Sequence, residues 1–168
     1  APNLSIRDNI ASIYLENQKF KKGLFLNTRE LNKFVDQCIE EFEIACTGSS
    51  SSVKFLSGGN IQKVIIAREF CSGANFILAN QPTRGIDIGT TDLIRRLLVR
   101  YTREKGYGSL LISSDLNEIM EVSDRLLVMH KGKFVAQFTD LKKLTTDELG
   151  EYTLGVKTMT KEEMGDLF

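Results

Sequence analysis

The chain has 168 residues, enough for one domain or for part of a larger one. Its 22 basic and 22 acidic residues balance, so the charge gives no support for nucleic acid or an anionic membrane as a partner. A hydrophobic content of 42% is typical of a globular protein. No run approaches the roughly 18 consecutive apolar residues of a membrane span, so we expect any membrane contact to be indirect.

The first 55 residues are predicted to be helix and loop. A short helix is expected from Leu4 to about Leu15, followed by a basic loop at 19–23. Asn27, with Glu30 three residues later, has the spacing of a capping box and begins a longer helix. Apolar residues then recur on one face of that helix, at Leu31, Phe34, Val35, Cys38 and Phe42.

The three cysteines and the single histidine give little support for a metal site or a disulfide framework. Cys38, Cys46 and Cys71 are odd in number and lack C-x-x-C spacing, and with His130 alone a Cys/His zinc site is disfavoured. We expect Cys38 to be a buried free thiol, which suits a reducing compartment.

A Gly/Ser-rich loop at 47–52 leads to Ser57, Gly58 and Gly59 at the start of a predicted helix that continues to Phe70. Bare backbone N–H groups at a helix start, beside a serine hydroxyl, form an anion site that the helix dipole favours. The same residues also fit an ordinary N-cap after a polar loop. Taken alone, the pattern leaves both interpretations open.

Two short strands, expected to be fully buried, are predicted at 75–79 and 109–113. Between them a helix is predicted at 88–105. Its apolar face comprises Leu93, Ile94, Leu97, Leu98 and Tyr101, and its expected solvated face carries Arg95, Arg96 and Arg100.

The remaining elements follow from local signals. Asp115 with Glu118 has cap spacing for a short helix, and strands at 125–130 and 133–138 flank a Lys-Gly turn. A last helix is predicted at 146–154, before a polar tail that we expect to be partly mobile. Alternating strands and helices indicate an α/β fold with a largely parallel sheet.

Two of these segments together resemble the ATP-binding cassette (ABC) family of transporter ATPases. Leu56–Lys63 reads LSGGNIQK, the form of the family's signature, and Gln81–Gly89 reads QPTRGIDIG after the first strand, as in the second cassette of sugar and nucleoside importers. The resemblance runs from about Leu4 to about Gly155, with the motifs in the family's order. It implies a P-loop NTPase fold divided into a helical, signature-bearing subdomain at 1–57, the C-terminal half of the ATPase core at 58–155 and a tail at 156–168.

The phosphate loop, G-x-x-x-x-G-K-[ST], is not found in these 168 residues. The resemblance implies that it lies N-terminal to them, so we expect the chain alone to bind ATP poorly. In the family's sheet the phosphate-loop strand lies between the strands at 109–113 and 126–130. Without it we expect a rearranged sheet, closure of the gap or a strand-swapped homo-oligomer, because unpaired edges invite pairing.

In the ABC mechanism two cassettes close head to tail around ATP and Mg²⁺. The resemblance implies that Ser57 and the amides of Gly58 and Gly59 contact the γ-phosphate held by the partner cassette. Asn60 and Gln62 would orient the helix start, with plain helix surface as the alternative for Gln62 and Lys63.

The cassette's own catalytic positions depart from the family pattern. Asn80 stands in place of the aspartate that organises Mg²⁺, and Gln81 in place of the glutamate that accepts a proton from water. Ser114 stands at the position of the switch histidine. We interpret this site as degenerate; tolerated substitutions in a weakly active site are the alternative.

Asp87 matches the family's D-loop aspartate, which couples the two sites, although its position also permits a plain helix N-cap. Arg84 looks like a marker of the subfamily, and the resemblance assigns it no role.

The leading hypothesis is the energy-coupling subunit of an importer for simple sugars (ribose or galactose) or nucleosides, at the cytoplasmic face of the membrane. Its implied partners are an upstream cassette of the same polypeptide, transmembrane permease subunits and, indirectly, a substrate-binding protein. The alternatives are a non-transport ABC ATPase of DNA repair or translation and a free-standing interaction module. Non-transport ABC ATPases usually carry long coiled-coil insertions or extra basic segments, and neither is seen in these 168 residues. We therefore expect no nucleic-acid partner.

Overall fold

The computed structural model describes residues 1–14, 20–22 and 25–165. The chain divides into two compact units, one of Ala1–Leu78 with Pro82–Leu110 and the other of Ala79–Gln81 with Leu111–Phe168. The sequence-based boundaries after residues 57 and 155, between the helical subdomain, the ATPase core and the tail, stay a prediction. Among the described helices, none combines the length and the hydropathy that a membrane crossing requires.

The first unit is mainly helical. It contains α1 (Ile6–Ala11), β1 (Lys21–Lys22), β2 (Phe25–Leu26), α2 (Thr28–Glu41), a 3-10 turn (Val53–Phe55), α3 (Gly58–Phe70), most of β3 (Phe76–Asn80), α4 (Ile88–Arg103) and the start of β4 (Gly108–Ile112).

Two predictions near the N-terminus are wrong in detail. The first helix ends at Ala11, and Leu15 lies outside the described residues. Lys21 and Lys22 form a strand that pairs antiparallel with β2, rather than a basic loop, whereas Lys19 and Gly23 also lie outside the described residues.

The predicted helix caps and apolar faces are confirmed. Asn27 accepts a hydrogen bond from the backbone N of Glu30 at 3.4 Å and begins α2. The predicted apolar face of α4 is buried along its whole length, and so is that of α2 except at the partly exposed Phe34. Aromatic rings join these helices: Phe70 of α3 lies edge-on to Tyr101 of α4 at 4.7 Å between centroids, and Phe42 packs against both.

Arg100 corrects the expectation of a solvated arginine face on α4. Its guanidinium forms an ion pair with Glu41 at the end of α2, and the hydroxyl of Tyr101 donates to the same carboxylate at 3.1 Å. The C-terminal part of α4 thus lies beside the end of α2, which gives this arginine its partner.

β3 and β4 form a two-stranded sheet. At one end Gly108 N donates to Asn75 O at 2.9 Å, and at the other Gln81 N donates to Ile112 O at 2.7 Å, so the strands are parallel. The prediction of fully buried strands is wrong. Phe76 and Leu78 are 57% and 64% exposed while Ile77 and Ala79 are buried, so one face of β3 has no covering layer in the described chain. In β4 successive residues are exposed, so most of that strand is uncovered on both faces.

The second unit holds the C-terminal strands and helices. It contains α5 (Leu116–Val122), β5 (Leu126–His130), β6 (Lys133–Phe138), α6 (Thr146–Thr153) and α7 (Lys161–Met164). The predicted hairpin is confirmed: β5 and β6 pair antiparallel, and Lys131 and Gly132 have φ values of 47° and 77°, as a type I′ turn requires.

The core of the second unit lies between this hairpin and its neighbouring helices. It is formed by Leu126, Val128, Val135, Ala136, Leu144 and Leu149. The polar tail also contributes to the unit: Met159 N donates to Val135 O at 2.8 Å, and α7 follows.

Of the three outcomes expected for the gap in the sheet, its closure is not found. Within the described ranges the strands form three separate two-stranded sheets, β1–β2, β3–β4 and β5–β6, and β4 does not pair with β5. A strand-swapped homo-oligomer stays a prediction.

Candidate functional site

The N-terminus of α3 begins at Ser57, which is its N-cap. The Ser57 hydroxyl accepts hydrogen bonds from the backbone N of Asn60 at 3.4 Å and from Asn60 Nδ2 at 2.9 Å. Ser57 and Gly58 are exposed, and a Cβ added to Gly58 would meet open space. Because a helix leaves its first N–H groups without partners within the helix, this end presents amide donors to the solvent.

Side chains of the next turn hold that end in place. Asn60 Oδ1 accepts from the backbone N of Ala45 at 2.8 Å, and Lys63 Nζ donates to Glu43 O at 2.9 Å, so two residues of α3 bind the segment that follows α2. Gln62 Nε2 donates to Pro82 O at 3.0 Å. Gln62 and Lys63 thus make tertiary hydrogen bonds on the surface of α3, and the role of Gln62 in orienting the helix start stays a prediction.

Gly59 packs against the start of α4. A Cβ at Gly59 would lie 2.7 Å from Asp87 Oδ2 and 2.8 Å from Thr90 Oγ1, distances that real side chains do not adopt. Only a glycine allows α3 to approach Asp87 this closely. The N-termini of α3 and α4 therefore lie beside each other.

Asp87 is the N-cap of α4, as its position permits. Its Oδ1 accepts from Thr90 N at 2.9 Å and its Oδ2 from Thr90 Oγ1 at 2.8 Å. These two hydrogen bonds lower the pKa of the Asp87 carboxyl below its ordinary value of 3.8. The carboxylate is thus ionised at neutral pH and lies against Gly59.

The positions of the expected catalytic groups lie together in the second unit. Gln81 has a φ of 50°, a left-handed conformation that is uncommon outside glycine, and its Oε1 accepts from Ser114 Oγ at 3.3 Å. Asn80 ends β3 with an exposed side chain. The sequence prediction that Gln81 and Ser114 belong to one site agrees with this hydrogen bond, whereas their roles stay predictions.

The donor chemistry at Asn80 does not fit a magnesium ion held by this chain. Mg²⁺ favours carboxylate oxygens, and Asn80 and Gln81 offer amides. Across the described ranges, 1–14, 20–22 and 25–165, His, Cys, Asp and Glu form no group of three or more that could hold a metal. The start of α3, in contrast, fits an anion such as a terminal phosphate, because it combines a hydroxyl with backbone amides.

Sequence reasoning missed the partners that support the site. Thr90 follows Asp87 by three residues, which is cap spacing, so this contact could have been found from the sequence. The contacts of Asn60 with Ala45 and of Gln62 with Pro82 join residues 15 and 20 positions apart and leave no local pattern.

Curated relatives of the chain are ATP-binding proteins of import systems. The chain is 36% identical over 141 residues to the glucose import ATP-binding protein TsgD13 of Haloferax volcanii, covering 83% of this chain and 26% of the relative. It is 35% identical over 152 residues to the nucleoside import ATP-binding protein NupA of Lactococcus lactis, covering 90% and 30%. With the ribose import ATP-binding protein RbsA of Bacillus subtilis it shares 39% identity over 129 residues, covering 77% and 26%. The chain thus spans between a quarter and a third of the length of these relatives.

Solved structures give the same fold. The ABC transporter cassette MJ0796, in a dimeric structure, matches with a TM-score of 0.70 and 24% identity over 82% of this chain and 57% of that one. The cassette MJ1267, in its ADP conformation, matches with a TM-score of 0.68 and 19% identity over 92% and 63%. No family model matches the chain.

Proposed function

The chain belongs to the ATP-binding cassette family, and on that premise we propose that it is the C-terminal part of a second cassette and serves an import ATPase by donating its signature to a neighbouring site. The observation that carries the proposal is the exposed start of α3, with Ser57 and Gly58 facing solvent. Three contacts hold that start in place: Asn60 with the segment after α2, Gln62 with Pro82 and Gly59 with the start of α4.

The proposed role of α3 is to bind the terminal phosphate of ATP held by the upstream cassette of the same polypeptide. Ser57 Oγ and the amides of Gly58 and Gly59 donate hydrogen bonds to phosphate oxygens. These donors are held in position before the phosphate arrives, so charge that develops there is stabilised without reorganisation of the chain. Asp87, against Gly59, couples the position of α3 to that of α4.

The cassette's own site is proposed to be degenerate. The amide of Gln81 cannot accept a proton from water, and the hydroxyl of Ser114 carries no positive charge with which to hold a phosphate. Asn80 is a weaker ligand for Mg²⁺ than a carboxylate. ATP hydrolysis therefore depends on the other composite site, which Ser57 and its neighbours complete.

The imported substrate is proposed to be a simple sugar such as ribose or galactose, or a nucleoside, which the names of the relatives support. The complete protein would act at the cytoplasmic face of the membrane, bound to transmembrane permease subunits and served by a substrate-binding protein. Uptake of labelled ribose, galactose and nucleosides by the reconstituted transporter distinguishes these substrates, and uptake of none of them contradicts the assignment.

A carboxylate placed at the start of α3 tests the donated signature. Gly58→Glu adds a side chain that meets open space but carries negative charge to the proposed phosphate position. We expect the ATPase rate of the complete protein to fall by about 10²-fold or more, the loss typical of a removed anion donor.

Gly150→Glu is the matched control. Gly150 is also a helical glycine facing open space, on α6, and the substitution adds the same charge. The control should keep the ATPase rate within about twofold, as surface substitutions do. Equal rates for Gly58→Glu and Gly150→Glu would contradict a phosphate contact at Ser57 and Gly58.

A further inference from the structure

Two cysteines from different helices meet in the first unit. Cys38 on α2 donates its S–H to Cys71 Sγ at 3.5 Å, and the two residues are 33 positions apart in the chain. Cys38 is 2% exposed, whereas Cys71, the C-cap of α3, is partly exposed. A disulfide has an S–S distance near 2.05 Å, so the two sulfurs need to approach by only about 1.5 Å.

The surroundings make the two thiols chemically unequal. The hydrogen bond from Cys38 lowers the pKa of the Cys71 thiol, and the same contact together with burial raises that of Cys38. The Tyr101 hydroxyl lies 4.0 Å from Cys71 Sγ and donates to Glu41, which also pairs with Arg100 and Lys105. Cys71 is therefore the more reactive of the two thiols, because the thiolate is the nucleophile, and its residue is partly exposed whereas Cys38 is buried.

We propose that Cys38 and Cys71 form a reversible disulfide that fastens the C-terminal end of α3 to α2 when the protein meets a peroxide. The proposal rests on the position of both sulfurs and does not depend on the proposed transport role.

The chemistry balances with hydrogen peroxide as the oxidant. The Cys71 thiolate attacks one peroxide oxygen, the O–O bond breaks, and the sulfur becomes a sulfenic acid while hydroxide leaves and takes up a proton as water. The Cys38 thiol then attacks the Cys71 sulfur, the S–S bond forms, and the sulfenic oxygen leaves as a second water. Two thiols are oxidised by two electrons, and one peroxide is reduced to two waters. A dithiol reductant reverses the bond by thiol–disulfide exchange.

The link would act on the helix that carries the signature. α3 begins at Ser57 and ends beside Cys71, so a bond at Cys71 restrains one end of the helix whose other end presents the anion donors. α2 provides a second fixed point for that helix in addition to its apolar packing.

Mass mapping of the complete wild-type protein tests the proposal without any variant. The protein is treated with hydrogen peroxide, quenched, alkylated with N-ethylmaleimide and digested without reductant. Because Cys38 and Cys46 share the tryptic fragment 34–54, a protease that cleaves after Glu40, Glu41 or Glu43 is added. We expect a Cys38–Cys71 cross-linked peptide, two hydrogens lighter than the sum of its reduced parts, which disappears with dithiothreitol.

Cys46 is the internal control, since it is also a partly exposed free cysteine but takes no part in the contact between Cys38 and Cys71. It should remain alkylated, and Cys46→Ser should leave the cross-link unchanged. We expect the disulfide to raise the unfolding midpoint of the wild type, because a cross-link restrains the unfolded chain. In Cys38→Ser the thiol of Cys71 lacks its partner, so its oxidation should continue to the sulfinic acid and the rise in the midpoint should be lost. A Cys71 that over-oxidises in the wild type while Cys38 stays alkylatable would overturn the proposal, and so would a cross-link that involves Cys46.

Discussion

The two adjacent glycines of the signature have different structural roles. Gly58 faces open space, so its small size serves access to the helix start, whereas Gly59 fills a contact in which a methyl group would overlap Asp87 and Thr90. The pair Gly-Gly in the sequence predicted a helix start with free amides but not this division of roles. The caps at Ser57, Asp87 and Asp115 were predictable because their donors lie two or three residues away.

Alanine at each of the two positions separates these roles. We expect Gly59→Ala to lower the free energy of unfolding by about 1–3 kcal/mol, because overpacking displaces Asp87 or Thr90. Gly58→Ala should stay within about 1 kcal/mol of the wild type or exceed it, since alanine favours a helix over glycine. Urea unfolding of both variants measures the difference, and equal stabilities would contradict the close packing of Gly59.

At the scale of elements, helices were predicted more accurately than strands. The apolar stripes of α2 and α4 follow helical spacing, and both stripes are buried where they were expected. The apolar runs in β3 and β4 also suggest burial on both faces, but the structure covers only one face of β3. Burial of a strand depends on the layers that pack on it, and those layers are distant in sequence, so a local run cannot reveal them.

Aromatic packing joins the helices around α3. Phe70 is 4% exposed between Phe42 and Tyr101, so Phe70→Ala should lower the local opening free energy of α3 and α4 by about 3–5 kcal/mol. Hydrogen exchange of the α3 and α4 amides measures this opening. Phe55→Ala is the matched control because Phe55 is 79% exposed, and its exchange should be nearly unchanged. Similar exchange in the two variants would show that Phe70 does not anchor the helix.

At the scale of the whole molecule, the sequence predicted the family and the order of the motifs, because these are written in contiguous residues. It did not predict the arrangement of the sheet. Two-stranded β3–β4 and β5–β6 are separate in the described chain, and the gap expected between β4 and β5 is not closed by their pairing. Strand pairing depends on partners that lie far along the chain. Without the phosphate-loop strand the sheet can therefore rearrange, close the gap or pair with another chain, and the sequence alone does not rank these outcomes.

An unequal pair of ATP sites follows from the proposed function of the complete protein. Gln81→Ala removes the side chain that accepts from Ser114, at a position where an active cassette would place its base. We expect the ATPase rate of the complete protein to change by less than about threefold, whereas loss of a working base costs about 10²–10⁴-fold. Steady-state ATPase assays of this variant decide the point, and a loss of 10²-fold would mean that this cassette's own site is catalytic.

The carboxylate of Asp87 beside Gly59 also has a consequence for competing anions. The low pKa of Asp87 keeps a negative charge next to the amides of α3 throughout the physiological pH range. That charge offsets part of the attraction of the helix dipole, so inorganic phosphate and other small anions gain little by occupying the helix start on their own. A phosphate that a second protein surface already holds has lost its translational entropy and part of its hydration there. Its binding to the start of α3 then requires only the hydrogen bonds from Ser57 and the backbone amides. If α3 serves the proposed function, its start can therefore stay free of small anions and still bind a phosphate that the partner cassette presents.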